Sequence, residues 1–211
     1  TYSQDYFADA VIISTGADPK KLNIPGEKEF TGRGVSYCAT CDGWFYKDKD
    51  VVLVGGGDSA LEEGLFLTRF VKSVSIIHRR DKLRAGAILE NRAKSNPKIQ
   101  FIWNSIVTEI KGEESVSSVT IKNVISEEET SKNTEGIFIF IGHRPNSMMF
   151  KGQLEIDDLG YIKIDQKMQT SIPGVFAAGE IADPIYRQVV SSAGMGAAAG
   201  MQSIHYLESI Q

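Results

Sequence analysis

Apolar positions in this chain change rhythm several times, and each rhythm predicts a kind of element. Val51, Val52, Leu53 and Val54 form a short, mostly β-branched run, and Val74, Ile76 and Ile77 form another; such runs predict buried strands. Between them Ala60, Leu61, Gly64, Leu65 and Thr68 recur on one helical face, so residues 51–77 predict a β-α-β unit. Ile99, Phe101, Ile102 and Trp103, behind the breaker Asn96-Pro97, predict a third parallel strand. The pattern then alternates. Residues 116–124 and 135–141, either side of the polar run 126–133, predict a hairpin or small antiparallel sheet. Elsewhere, residues 7–13 predict a strand ending at Ser14-Thr15-Gly16-Ala17, residues 161–164 a short strand, and residues 173–179 a buried one. A closing helix over residues 188–210 begins with small side chains, Ala193 to Ala199, that let it approach a sheet or a flat ligand.

The tail after Asn146 is too short to form a domain alone. It is expected to join residues 1–19 in one module, into which residues 20–145 are inserted. The fold class read this way is α/β. A Rossmann-like domain of parallel sheet, helices and a small antiparallel sheet sits inside a second, partial domain of the same type.

Gly55-Gly56-Gly57-Asp58-Ser59-Ala60 lies where the first strand meets its helix and fits the pattern G-x-G-x-x-A. Read physically, Gly55 allows a tight bend, Gly57 lets backbone approach a pyrophosphate, and Ala60 permits close packing of helix on strand. The helix start at Asp58 and Ser59 then turns free N–H groups and a positive dipole end toward the anion. A unit that binds NAD places an acid at the end of its second strand, for the ribose hydroxyls. This chain places His78-Arg79-Arg80 there, with Arg84 following. Guanidinium groups bind a 2′-phosphate that an acid would repel, so the expected nucleotide is NADPH. The plain alternative is a solvated basic loop.

With 211 residues, 42% of them hydrophobic, and a net charge of −4, the composition is that of a soluble globular protein. Cations are scattered apart from the cluster at residues 78–84, which argues against a general nucleic-acid binder. No apolar run approaches a membrane span, and Thr1-Tyr2-Ser3-Gln4-Asp5 has no leader character, so a cytoplasmic location is expected. The first residue is not Met, which suggests a fragment or processed product.

Both cysteines sit in Cys38-Ala39-Thr40-Cys41, followed by Asp42-Gly43. Such a pair suggests metal ligation or redox chemistry. Zinc would need two more ligands, and His78, His143 and His205 fall in unrelated elements, so no metal is expected. A merely structural disulfide here would close a loop too short to stabilise much. Redox exchange asks for an attacking thiolate, a resolving thiol and a proton source, parts that Cys38, Cys41 and Asp42 can supply.

Taken in order, Cys38-Ala39-Thr40-Cys41-Asp42-Gly43, the 55–60 glycine turn, His78-Arg79-Arg80-Asp81 with Arg84, Gly142-His143-Arg144-Pro145-Asn146, Gly174-Val175-Phe176-Ala177-Ala178-Gly179 and Tyr186-Arg187-Gln188 closely resemble the low-molecular-weight thioredoxin reductases of bacteria. The resemblance runs from about Tyr6 to the C-terminus. It implies an NADPH domain inserted into an FAD domain. Electrons would pass from NADPH through flavin to a reversible Cys38–Cys41 disulfide and on to thioredoxin. It also implies a homodimer and a rotation between domains, with hinges near residues 19–22 and 143–146. Gly142, His143 and Arg144 are implied cofactor contacts; Thr15, Gly16, Gly179, Glu180, Arg187, Gln188 and Val189 are implied flavin contacts. Glu180 stands where the family commonly has Asp.

The family's first glycine fingerprint, for the ADP half of FAD, has no counterpart in this sequence. The FAD site is therefore expected to be incomplete in an N-terminally truncated chain, which would hold FAD weakly and show no turnover. Exposed apolar surface is expected around residues 11–14 and 175–178. Two other readings are the flavoprotein subunit of alkyl hydroperoxide reductase and an NADPH-holding module without turnover; the Ala39-Thr40 filler favours thioredoxin reductase.

Overall fold

A computed structural model describes residues 4–211; the reading of Thr1, Tyr2 and Ser3 falls outside the described residues. In chain order the elements begin with β1 (Val11–Ile13), β2 (Ala17–Pro19), β3 (Val35–Ser36), the one-turn α1 (Ala39–Asp42), β4 (Asp50–Gly55), α2 (Asp58–Leu67), β5 (Ser73–Ile77) and α3 (Ala87–Lys94). They continue with β6 (Ile99–Ile102), β7 (Ser105–Gly112), β8 (Val116–Asn123), β9 (Glu129–Asn133), β10 (Gly136–Phe140), β11 (His143–Pro145), β12 (Val175–Ala177) and α4 (Val189–Ser209). The chain divides into two compact units, Pro19–Gly142 and the joined segments Thr1–Asp18 and His143–Gln211.

The Pro19–Gly142 unit is built on a five-stranded parallel sheet in the order β3-β10-β4-β5-β6. Its central strands β4 and β10 are buried along almost their whole length because both faces are covered. Val51 and Leu53 face a cluster with Ala60, Leu61 and Leu67 of α2 and Ala93 of α3. Val52 and Val54 face the opposite way, against Val107, Ile110, Val116, Val119 and Ile121 of the antiparallel sheet β7-β8-β9. Two successive residues of one strand thus anchor two different layers. On α2 the fully buried positions are Ala60, Leu61, Gly64 and Leu67; Leu65 and Thr68, expected on that face, are only half-buried.

Residues 135–141 do not pair with β8. They form β10, a central strand between β3 and β4, while β8 pairs with β7 and with β9, which arises inside the polar run. Ile137, Phe138 and Ile139 are all buried. A half-solvated hairpin would expose alternate members of that run, at roughly 2 kcal/mol per apolar side chain, so the doubly covered position wins.

In the second unit β1 and β12 pair in parallel, Ile12 opposite Phe176, and α4 lies against both. Only residues 11–13 of the expected 7–13 strand are paired, and Phe7 is 98% exposed. Residues 161–164 make a single bridge, Ile156 to Ile162, instead of a strand. Val11 and Ile12 expose apolar surface, but Phe176, Ala177 and Ala178 are buried, Phe176 and Ala178 clustering with Ala199 of α4. β2 and β11 pair where the chain passes between the units. Among the described residues no helix is long and apolar enough to cross a membrane.

Candidate functional site

The turn after β4 owes its glycines to crowding, not to unusual backbone angles. None of Gly55, Gly56 and Gly57 has a positive φ. A Cβ at Gly55 would sit 2.6 Å from both the Ala60 Cβ and the Phe140 carbonyl oxygen, and one at Gly56 would strike the His78 ring. Close contact, not the tight bend expected of it, fixes Gly55. A Cβ at Gly57 would meet nothing within 4 Å. Gly57 is the N-cap of α2 and supplies no side-chain cap, so the first N–H groups of α2 face open space. That is the room and polarity an anionic phosphate needs.

The arginine segment is tied to this turn by three contacts and braced by a fourth within itself. His78 is buried, its Nδ1 3.0 Å from the Gly55 carbonyl oxygen and its Nε2 3.0 Å from that of Lys82. The Arg84 N–H donates to the Gly56 carbonyl at 2.7 Å, and the Gly86 N–H donates to Asp58 Oδ1 at 2.7 Å. His78 and Asp58, expected at the cofactor, also hold the loop, through both ring nitrogens of His78 and through Oδ1 of the exposed Asp58. Arg79, Arg80 and Arg84 are exposed, and none of the described ion pairs uses them. The residues present fit a nucleotide bearing a second phosphate group.

On the same unit Cys38 and Cys41 form a disulfide, with Cys38 half-buried and Cys41 exposed. Cys38 caps the single turn of α1, its sulphur accepting from the Cys41 N–H at 3.1 Å. Asp42 closes that turn, and its Oδ2 accepts a 2.6 Å hydrogen bond from the hydroxyl of buried Ser36. Tyr37 donates to Glu27 at 2.9 Å, and burial together with that carboxylate pushes the phenol well above its ordinary pKa. Trp44 and Phe45, just beyond, are exposed aromatics. Among the described residues no three His, Cys, Asp or Glu side chains gather as a metal-binding group.

In the second unit Thr15 and Asn146 hydrogen-bond reciprocally, and the Asn146 N–H donates to the Gly16 carbonyl. Gly179, with φ +80°, turns the chain after β12 toward Glu180, whose carboxyl burial raises above its usual pKa against the pull of Arg187. Gln188 caps α4 with Ser191, and Val189 and Val190 stand exposed on its first turn. Asp183 was not singled out from the sequence, although Asp183-Pro184 is a turn signal. Its carboxylate accepts from the N–H groups of Ile185, Tyr186 and Arg187 and from the Ser191 hydroxyl. It sets the loop that carries Arg187 and Gln188. Glu180 and Arg187 supply charged groups, and the exposed Val189 an apolar one, of the kinds a flat, polar-edged ring takes. Burial and the nearby Arg187 charge hold His143 below its ordinary pKa. Gly142, with φ +106°, accepts from Lys20 N–H, and Arg144 lines a cavity of about 500 Å³ with Lys151 and Asp157.

A Rossmann-type phosphate turn and a C-x-x-C disulfide on one unit define a class: dinucleotide-fold proteins that carry a disulfide. The family model described as pyridine nucleotide-disulphide oxidoreductase matches residues 2–196, and the chain belongs to that family. It is 49% identical over 210 residues to the thioredoxin reductase of Bacillus subtilis (strain 168), covering 99% of this chain and 66% of that protein. With the thioredoxin reductase of Streptomyces clavuligerus it shares 48% identity over 204 residues, 96% of this chain and 63% of the relative. The chain thus spans a little under two thirds of these relatives. Among solved structures, thioredoxin reductase from Streptococcus pyogenes MGAS5005 matches with a TM-score of 0.91 at 49% identity, over 95% of this chain and 66% of that one. The Giardia duodenalis enzyme matches at 0.92 and 41%, over 99% and 69%.

Proposed function

We propose that this chain is part of a thioredoxin-disulfide reductase, in which NADPH-derived electrons reach the Cys38–Cys41 disulfide through FAD and leave on thioredoxin. The observation that carries the reading is the placement of that disulfide, with Asp42 beside it, on the unit that holds the glycine turn and the arginine loop. The thioredoxin reductase relatives support it. Gly57 and the start of α2 take the pyrophosphate, Arg79, Arg80 and Arg84 the 2′-phosphate, and Asp42 gives and recovers the exchange proton. Thr15, Gly16, Gly179, Glu180, Arg187, Gln188 and Val189 meet the flavin ring, and Gly142, His143 and Arg144 complete the cofactor contacts. Two-electron transfer between NADPH and a disulfide is the chemistry a bound flavin supplies. The units correspond to an NADPH domain inserted in an FAD domain, working in the cytoplasm as a homodimer.

Calorimetric titration of the chain tests the nucleotide assignment. Each of Arg79→Ala and Arg80→Ala is expected to weaken NADPH by tens of fold, about 2 kcal/mol for a lost charged hydrogen bond, and to leave NADH nearly unchanged. Equal losses for both nucleotides overturn it.

A further inference from the structure

Ser36 has no part in the family resemblance, yet it is 3% exposed and touches the proposed acid. It ends β3, where Phe138 of β10 pairs with it, so its backbone is fixed by the sheet. Its Oγ lies 2.6 Å from Asp42 Oδ2, accepts from the Cys38 N–H at 3.1 Å, and stands 3.2 Å from the Cys38 carbonyl oxygen. A serine hydroxyl carries one proton, and the shorter, charge-assisted bond to the carboxylate claims it. One side chain therefore ties the acid to the peptide of a reacting cysteine.

We infer that Ser36 is a positioning residue for disulfide exchange: it holds Oδ2 of Asp42, so that Oδ1 carries the transferable proton. This rests on reading Cys38–Cys41 as an exchanging pair with Asp42 as its acid. When the chain is reduced by an external dithiol, a dithiol thiolate attacks one sulphur of the pair. The new S–S bond forms as the Cys38–Cys41 bond breaks, the electron pair leaves on the other sulphur, and that thiolate takes the proton from Asp42 Oδ1. The second dithiol sulphur, as thiolate, then attacks the mixed disulfide, leaves as a cyclic disulfide and frees the second cysteine; Asp42 recovers a proton from solvent. Oδ2 accepts from Ser36 whether or not Oδ1 is protonated. The acid thus cycles without losing its anchor, which is what a preorganised site requires.

The test is the rate at which dithiothreitol reduces the Cys38–Cys41 disulfide of the chain, read by acid quench, alkylation and mass measurement. Ser36→Ala is expected to slow reduction about tenfold, a fraction of what general acid catalysis contributes. Ser36→Thr, which keeps the hydroxyl, is expected to stay within about twofold of the parent, and Ser36→Val, its isostere, to match Ser36→Ala. In an Asp42→Asn background Ser36→Ala adds no further loss, because the two residues act as one unit. If Ser36→Ala does not fold, the Thr and Val pair carries the comparison. A Thr variant as slow as the Val variant overturns the proposal, as does an equal Ser36→Ala loss with and without Asp42. Slow exchange in Asp42→Asn with normal exchange in Ser36→Ala overturns the role of Ser36 alone. Normal exchange in both, or no thiols after reduction, overturns the underlying reading as well.

Discussion

A methyl group added at Gly56 would collide with His78, whereas one added at Gly57 would enter open space. The neighbours therefore separate folding from binding. Gly57 has φ −100° and ψ −177°, extended backbone that alanine adopts, so Gly57→Ala is expected to change stability by less than about 0.5 kcal/mol. The same methyl occupies the phosphate's approach, and NADPH affinity is expected to fall by about tenfold or more, on the order of 1.4 kcal/mol. Gly56→Ala must displace the imidazole that ties the turn to the arginine loop, and is expected to cost about 1–3 kcal/mol. Chemical denaturation and calorimetry on the two variants check this; a Gly57→Ala chain that binds NADPH normally removes the turn from the site. Spacing singled out the glycines and arginines because the chemistry proposed for them is local. It could not show that His78 is buried against the turn or that Asp58 Oδ1 accepts from the Gly86 N–H, since a polar side chain at a turn can face a ligand or its own backbone with the same pattern.

At the scale of elements, β4, α2, β5 and β6 were legible because continuous apolar runs, a glycine turn and a helical face all agreed. The sequence Gly136-Ile137-Phe138-Ile139-Phe140 is itself a continuous run, and its place between β3 and β4 follows from burial on both faces. β7 and β9 were not legible. β9 is mostly exposed and polar, and its strand character comes only from pairing with β8. The loop after β12 depends on one carboxylate. Burial alone would raise the Asp183 pKa, but the N–H groups of Tyr186, Arg187 and Ile185 and the Ser191 hydroxyl outweigh it and hold the group below its usual value. A depressed acid contributes stability above its unfolded value, near pH 4, and loses it as pH falls through the folded value. Asp183→Asn is therefore expected to cost roughly 2 kcal/mol at pH 7, with the gap from the parent closing below about pH 4. Thermal melts across pH read this; a gap that does not narrow as pH falls below about 4 contradicts the carboxylate's role.

At the scale of the whole molecule, the chain enters the Pro19–Gly142 unit and returns to the first through β2 and β11, which pair with one another. The central claim is that electrons cross from a nucleotide to a partner through Cys38 and Cys41. The direct measurement is anaerobic thiol counting on the flavin-loaded whole reductase of which this chain is part, by alkylation and mass, first after NADPH and then after oxidised thioredoxin. The expected result is that NADPH uncovers the thiols of Cys38 and Cys41, and that thioredoxin gains two thiols as Cys38 and Cys41 return to the disulfide. Thioredoxin reduced while Cys38–Cys41 stays closed, or by a Cys38→Ser, Cys41→Ser protein, would contradict the account.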